Sequence, residues 1–126
     1  MKKILIVIAD YYEDISLSLL KSAKYKLNNF SLKVIKVPGV FEIPVTISKN
    51  IKKYDAFIAL GCVIKGETPH FDFISSASTQ AIMKLSVESK KPIGNGIITC
   101  LNMKQAKARG KKGEEAAQAI ISVLSQ

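Results

Sequence analysis

The chain alternates between short runs of aliphatic residues and longer stretches in which apolar residues recur at helical spacing. Residues 4–9 and 56–60 form two such runs, and a further one surrounds residues 96–99. Residues 32–37, in which lysines occupy positions 33 and 36, are another short strand candidate. Uninterrupted aliphatic and β-branched runs of this length are typical of strands that are buried on both faces of a parallel sheet. The pattern therefore predicts four strands, the third of them stopped by Gly61.

The stretches between these runs predict helices. After the first run, Asp10 and Glu13 have the spacing of a capping box, and Ile15, Leu19 and Ala23 then follow on one helical face. Further helices are predicted over residues 43–51, from residue 71 until Pro92 interrupts the pattern, and over residues 103–109 and 114–124.

Strands that alternate with helices need crossover connections, which make the sheet parallel and cover both of its faces. We expect a single domain over residues 1–126, an α/β three-layer sandwich with a four-stranded parallel sheet, doubly wound in the flavodoxin-like manner. Ligands of such folds bind beyond the carboxyl ends of the strands. Candidate site residues are therefore sought in segments 10–13, 38–44 and 61–70, and from residue 99 onward.

Charge is a less specific clue. The 126 residues include 19 lysines and arginines against 10 acidic residues, and the net charge of +9 would suit a polyanionic partner. The lysines are scattered along the chain, so composition leaves open nucleic-acid binding, an anionic small substrate or plain solubility. The single local cluster of basic residues consists of Lys104, Lys107, Arg109, Lys111 and Lys112. Arg109 is the only arginine, and a guanidinium can grip a phosphate through two parallel hydrogen bonds.

Other classes of protein find little support in the sequence. Cys62 and Cys100 lack the spacing of metal ligands, so we expect buried thiols and neither a disulfide framework nor a metal site. The aliphatic run at residues 4–9 is too short to span a bilayer, and no cleavage site follows it. We expect a cytoplasmic protein with no membrane partner.

The segment 61–70 combines two features that suit chemistry on a phosphorylated ligand. A glycine-containing loop that runs into a helix offers free N–H groups to a phosphate, and Thr68 adds a hydroxyl. His70 is the only histidine of the chain, and histidine is the side chain best suited to proton transfer near neutrality. The alternative is an ordinary turn with a helix-capping Thr68 and a surface His70.

Two other segments at the same edge carry aromatic rings. Pro38 and Pro44 stiffen the loop that presents Phe41 and Glu42, a ring for stacking and a carboxylate for hydrogen bonds. Alternatively, Phe41 belongs to the core and Glu42 caps the next helix. In the same way, Tyr11 and its neighbour at position 12 form either an aromatic shelf or two half-buried rings.

Four stretches, in this order along nearly the whole chain, resemble the 6,7-dimethyl-8-ribityllumazine synthase family. They are residues 38–44, residues 61–73 with their Gly-Glu-Thr-Pro-His-Phe-Asp sequence, Asn102 with Gln105, Ala106 and Arg109, and residues 112–117. The resemblance implies condensation of 5-amino-6-(D-ribitylamino)uracil with 3,4-dihydroxy-2-butanone 4-phosphate, the penultimate step of riboflavin biosynthesis, by an enzyme without a metal or organic cofactor.

The resemblance also implies roles for individual residues. His70 takes the position of the proton-transfer residue, and Tyr11 that of the aromatic ring that stacks on the pyrimidine. Glu67 and Thr68 fall on the phosphate cradle, and Arg109 on the phosphate-binding arginine. The other substrate-binding positions are those that line the ribityl and uracil part, Val40, Phe41, Glu42, Cys62, Val63 and Ile64, and Asn95, which meets the pyrimidine from the neighbouring subunit.

The family's sites lie between adjacent chains, so we expect a homopentamer. The short connection at residues 110–113 and a first strand at the very start of the sequence favour a free pentamer over a larger shell. The expected partners are the two small substrates and a possible contact with riboflavin synthase, with no nucleic acid. Two alternatives stay open: a riboflavin synthase-type enzyme of the same fold and a basic nucleic-acid-binding α/β domain.

Overall fold

A computed structural model describes all residues, 1–126. Four strands alternate with five α-helices and one short 3₁₀ helix. In chain order these elements are β1 (Lys3–Ala9), α1 (Glu13–Lys26), β2 (Ser31–Val37), the 3₁₀ helix (Val40–Glu42), α2 (Ile43–Lys49), β3 (Ala56–Ile64), α3 (Phe71–Ser89), β4 (Ile93–Cys100), α4 (Met103–Lys107) and α5 (Lys112–Leu124).

The four strands form one sheet in the order β2-β1-β3-β4, and every neighbouring pair is parallel. Helices α1, α4 and α5 cover one face, while the 3₁₀ helix, α2 and α3 cover the other. The predicted fold class is confirmed. Since β2 and β3 flank β1 on opposite sides, the chain reverses its direction of winding at β1, and ligands of doubly wound sheets bind beside such a switch point.

The core consists of two apolar layers because successive side chains of a strand point to opposite faces of the sheet. On one face, Ile6 packs with Leu19 of α1 and Ile120 of α5. On the other face, Val7 packs with Ile47 of α2. All nine residues of β3 are buried, as expected for an inner strand of a covered parallel sheet.

The capping box predicted at Asp10 and Glu13 was wrong. Helix α1 begins at Glu13, its N-cap is Tyr12, and no side chain caps it. The Asp10 N–H donates to the carbonyl of Val37, which keeps Asp10 at the end of the sheet, two residues before the N-cap. Glu13 and Asp14 nevertheless place negative charge in the first turn, where the helix dipole favours it.

The prediction that Gly61 stops the third strand was also wrong. Strand β3 continues through Gly61 and Cys62 to Ile64, so the loop before α3 is shorter than expected. A Cβ on Gly61 would lie 2.8 Å from Cγ2 of Val40. Glycine is therefore at this position because the 3₁₀ helix approaches the strand closely, which is a common reason for glycine inside a strand.

The predicted boundaries of the last two helices shift slightly. Helix α4 ends at Lys107, before the predicted residue 109, and α5 already begins at Lys112. Gly113 lies inside α5, where an added Cβ would come within 2.1 Å of the Leu19 carbonyl oxygen. The glycine thus permits close packing of α5 on α1. None of the helices combines the length and the apolar character that crossing a membrane would need.

Candidate active site

A cavity of about 320 Å³ opens at the carboxyl edge of the sheet, beside the switch point. Segments that follow β1 and β2 line it together with the end of β3 and the turn into α3. The predicted site residues that it brings together are Tyr11, Val40, Phe41, Cys62, Val63, Thr68 and His70, and the remaining lining residues are Gly39, Pro69 and Ile74.

The cavity has an apolar floor and an aromatic rim. Val40, Cys62 and Val63 are buried at its base. Tyr11 and Phe41 stand at its mouth, 66% and 73% exposed. The 3₁₀ helix turns Phe41 outward while Val40 packs against β3, so the alternative of Phe41 in the core is wrong. Two exposed rings over an apolar floor suit a flat heteroaromatic ligand.

The turn between β3 and α3 carries the polar part of the cavity. Gly66 adopts a φ of +85°, which glycine tolerates best. The N–H groups of Lys65, Glu67 and Thr68 donate to backbone carbonyls. No side chain caps α3, so the N–H groups of its first turn are free to bind an anion, and the alternative of Thr68 as its cap is wrong.

His70 is held in an unusual conformation at the start of α3. It occupies the N-cap position with φ 58° and ψ 38°, in the left-handed region. Such conformations are costly for a residue other than glycine, and they concentrate at functional sites. The exposed imidazole lines the cavity, and its ring centroid lies 6.2 Å from that of Phe73. Proton transfer to a bound ligand needs this accessibility.

Tyr12 connects the segment after β1 with the turn before α3. Its hydroxyl lies 3.0 Å from Oγ1 of Thr68, and its ring meets the edge of Tyr11 at a centroid distance of 4.8 Å. Burial raises the pKa of Tyr12 above its ordinary value of 10.0, and the negative charge of Glu67 acts in the same direction, while the hydrogen bond to Thr68 opposes the shift. The net effect moves ionisation of the phenol further from neutral pH.

Cys62 is a neutral part of the cavity wall. Burial raises the pKa of its thiol to about 12, with Cys100 and Glu67 acting in the same direction. Both cysteines are free and buried, as predicted. A thiol that stays protonated is a poor nucleophile, so Cys62 contributes apolar surface to this cavity.

Three predicted residues lie beside the cavity and do not line it. Glu42 ends the 3₁₀ helix and occupies the N-cap position of α2, as the alternative predicted, but its side chain makes no capping hydrogen bond. Ile64 is buried in the layer that packs against α1 and α5. Glu67 is exposed on the turn.

Arg109 belongs to a second, basic pocket of about 450 Å³. Its guanidinium donates from Nη1 to the Thr99 carbonyl oxygen at 3.1 Å. The pocket is lined by Ile97, Ile98, Thr99, Ala108, Arg109, Lys111, Lys112 and Glu115. Within one chain, Arg109 therefore does not share a cavity with His70.

Asn95 lines neither of these two pockets. It lies on β4 opposite Ala59, and its Oδ1 accepts a hydrogen bond from the Ile97 N–H at 3.0 Å. Thr99, at the carboxyl end of β4, is about 13 Å further along the strand, given the rise per residue of a strand. Asn95 thus lies far from the cavity within its own chain.

Comparison with known proteins decides the family. The family model for 6,7-dimethyl-8-ribityllumazine synthase matches residues 1–126. This chain belongs to the lumazine synthase family. It is 44% identical to 6,7-dimethyl-8-ribityllumazine synthase 1 of Rhodopseudomonas palustris, over 97% of this chain and 83% of that protein. It is also 42% identical to the synthase of Agrobacterium fabrum, over 96% and 91% of the two chains, and 43% identical to that of Bartonella bacilliformis, over 97% and 88%.

Membership in the lumazine synthase family confirms the resemblance found in the sequence. The chain is an enzyme of riboflavin biosynthesis, and the names of its relatives favour this function over a riboflavin synthase-type enzyme and over a nucleic-acid-binding domain.

Sequence reasoning missed some residues at both pockets. Ile74 lines the cavity, and its place one helical turn after His70 could have identified it. Lys111 and Lys112 join Arg109 in the basic pocket; their position in a cluster of basic residues was the available signal. The hydrogen bond between Tyr12 and Thr68 had no signal in the sequence, because the two residues lie 56 positions apart.

Proposed function

We propose that this lumazine synthase family member condenses 5-amino-6-(D-ribitylamino)uracil with 3,4-dihydroxy-2-butanone 4-phosphate to give 6,7-dimethyl-8-ribityllumazine, phosphate and water. The observation that carries the proposal is the single cavity that joins two exposed aromatic rings, a phosphate-type turn and the only histidine. These features match the three needs of the reaction: a stacking surface, an anion site and a group for proton transfer.

The pyrimidine binds at the aromatic rim. Tyr11 and Phe41 offer exposed ring faces, and Val63 with the neutral thiol of Cys62 supplies the apolar floor. Glu42, next to Phe41, accepts hydrogen bonds from N–H or hydroxyl groups of the ribitylaminouracil. Stacking fixes the plane of the ring, and the carboxylate fixes its orientation.

The phosphate of the second substrate binds at the turn before α3. The backbone N–H groups of Glu67 and Thr68 already donate to the Ile64 carbonyl oxygen. The donors that remain for the phosphate are therefore the Thr68 hydroxyl and the N–H groups in the uncapped first turn of α3. The positive end of the helix dipole adds to this attraction. The same donors stabilise the phosphate when it leaves as an anion.

His70 transfers protons between the bound substrates. Schiff-base formation, phosphate elimination, ring closure and dehydration each move a proton, and an imidazole can both accept and donate one near neutrality. The left-handed backbone at His70 places this ring at the start of α3, next to the anion site. Binding both substrates in one orientation supplies the remaining acceleration.

The complete site forms between two copies of this chain in a homopentamer. Within one chain the basic pocket of Arg109 is separate from the cavity of His70, so an arginine on the substrate phosphate has to come from a neighbour. The face that carries α2 and α3 exposes large apolar side chains, which favours burial against another copy. These side chains are Phe41, Val45, Phe73, Met83 and Val87.

We also expect a partner enzyme and a cellular location for this protein. Its product is the substrate of riboflavin synthase, and a contact between the two enzymes remains a prediction. A cytoplasmic location of the enzyme is likewise a prediction.

The test is a direct assay with the purified protein. The two substrates are mixed with it, and the absorbance of lumazine is followed against the spontaneous reaction. We expect a rate well above this background, with lumazine and no riboflavin as the product. A rate equal to the background would refute the proposed function, and riboflavin as the product would favour the riboflavin synthase-type alternative.

A further inference from the structure

Tyr12 is the one polar side chain that ties two segments of the cavity together. Its hydroxyl lies 3.0 Å from Oγ1 of Thr68, and 56 residues separate the two in the chain. Tyr12 itself does not line the cavity, whereas its neighbour Tyr11 and its partner Thr68 both do. Tyr12 can therefore affect a ligand in the cavity only through a residue that it contacts, such as Thr68.

The direction of the Thr68 hydroxyl depends on whether Tyr12 donates to it or accepts from it. A threonine hydroxyl has one proton to donate and two lone pairs that accept. One lone pair faces the N–H of Ile64 at 3.4 Å, and the other faces the Tyr12 hydroxyl. The geometry allows either hydroxyl of this pair to donate, and the tyrosine hydroxyl carries a proton that it can donate. When Tyr12 is the donor, both lone pairs of Thr68 are used inside the protein, and the Thr68 proton is left to point into the cavity.

We propose that Tyr12 is a positioning residue that holds the Thr68 hydroxyl as a donor to the substrate phosphate. This inference rests on the proposed function, since it assigns the phosphate of the butanone substrate to the turn at Thr68. Without the Tyr12 hydroxyl, the Thr68 proton is free to rotate toward other acceptors, and the phosphate loses a preorganised donor.

The substitution Tyr12→Phe tests this role because it removes only the hydroxyl. The ring keeps its edge contact with Tyr11 at 4.8 Å, so stacking of the pyrimidine is preserved. We expect the KM for the butanone phosphate to rise about threefold to tenfold, the range of one neutral hydrogen bond, and the KM for the pyrimidine to stay within about twofold. Tyr54→Phe is the matched control, because Tyr54 lies away from the cavity against Phe57, and both constants should stay unchanged there.

A double-mutant cycle separates positioning from a general loss of structure. In a Thr68→Val background, Tyr12→Phe should leave the KM for the butanone phosphate unchanged, because the hydroxyl that it orients is gone. Equal effects of Tyr12→Phe in both backgrounds, or equal rises of both KM values, would overturn the inference. If Tyr12→Phe fails to fold, Thr68→Val alone must show the selective rise of the KM for the butanone phosphate, and an unchanged KM would overturn it.

Inorganic phosphate distinguishes failure of this inference from failure of the proposed function. Its affinity is measured by calorimetry on the assembled protein, with no need for turnover. We expect weaker phosphate binding in Tyr12→Phe than in the parent or in Tyr54→Phe. An inactive parent protein would refute the proposed function, whereas equal phosphate affinity in all three proteins would overturn the role of Tyr12.

Discussion

Val40 packs directly on the α-carbon of Gly61, where an added Cβ would lie 2.8 Å from Cγ2 of Val40. This contact sets the distance between the 3₁₀ helix and β3, and both of these elements line the cavity. Gly61→Ala should therefore displace Val40 and with it the rim residue Phe41. We expect the free energy of unfolding to fall by about 1 to 3 kcal/mol, as overpacking does, and the KM for the pyrimidine to rise.

The double variant Gly61→Ala with Val40→Ala tests the cause of that loss. Removing the two methyl groups of Val40 makes room for the new methyl group, so the double variant should be more stable than the sum of the single changes predicts. If the changes in the free energy of unfolding, measured in urea, are strictly additive, the 2.8 Å approach of Val40 to Gly61 does not cause the loss of stability.

His70 and Lys90 begin and end α3 with left-handed backbone, at φ 58° and 60°. Because glycine adopts this conformation without a Cβ clash, His70→Gly and Lys90→Gly should each raise the free energy of unfolding by about 0.5 to 1 kcal/mol. Only His70→Gly should lose activity, by about 10² to 10⁴-fold at most, the share of general acid–base catalysis.

Thermal melts at one protein concentration and single-turnover rates measure these two outcomes. Lys90→Gly serves as the control, since Lys90 lies at the far end of α3 from the cavity. A His70→Gly variant that retains the parent rate would remove His70 from proton transfer.

Arg109→Lys should raise the KM for the butanone phosphate more than the KM for the pyrimidine. The charge is kept, but the planar pair of N–H donors is lost. Lys107→Ala removes a neighbouring exposed charge outside the basic pocket and should leave both constants unchanged. If Arg109→Lys changes both constants equally, Arg109 does not bind the phosphate.

Mixed assemblies test whether the site is shared between copies. His70→Ala and Arg109→Ala should each be impaired alone, yet co-expressed chains should recover activity at sites where the two intact residues meet. With random assembly of equal amounts in a closed ring, about a quarter of the sites regain both residues. Native mass spectrometry of the same sample checks for the pentamer, and no recovery in mixed pentamers would place both residues in one chain.

Alkaline pH should weaken the fold partly through Cys62. Its pKa rises from 9.0 to about 12 on folding, so the unfolded chain loses the thiol proton at a lower pH than the folded one. The stability associated with this proton is fully present below pH 9.0 and is lost as the pH rises toward about 12, with a maximum slope of about 1.4 kcal/mol per pH unit.

Urea unfolding between pH 8 and pH 11 measures that slope. Cys62→Ala should show a shallower decline than the parent protein. Parallel curves for the two proteins would mean that the Cys62 thiol titrates alike in the folded and unfolded chains.

Part of the candidate site could be predicted from the sequence, because the motif residues lie at the ends of strands. The rule that ligands bind at the carboxyl edge of a parallel sheet was enough to group Tyr11, Phe41 and His70. The same rule placed Arg109 in one site with these residues, because β4 ends at the same edge of the sheet. The sequence does not show towards which face of the sheet each loop turns. The pocket of Arg109 became distinct only in three dimensions.

The sequence by itself determined the strands, their parallel pairing and the family, because aliphatic runs, helical periodicity and motifs are all properties of local order. Only the tertiary structure decided that β3 runs through Gly61, that Phe41 faces solvent and that Tyr12 reaches Thr68. Each of these depends on contacts between segments far apart in the chain. Packing of one segment against another overrides a local signal such as a glycine or an aromatic residue, and no local pattern encodes that contact.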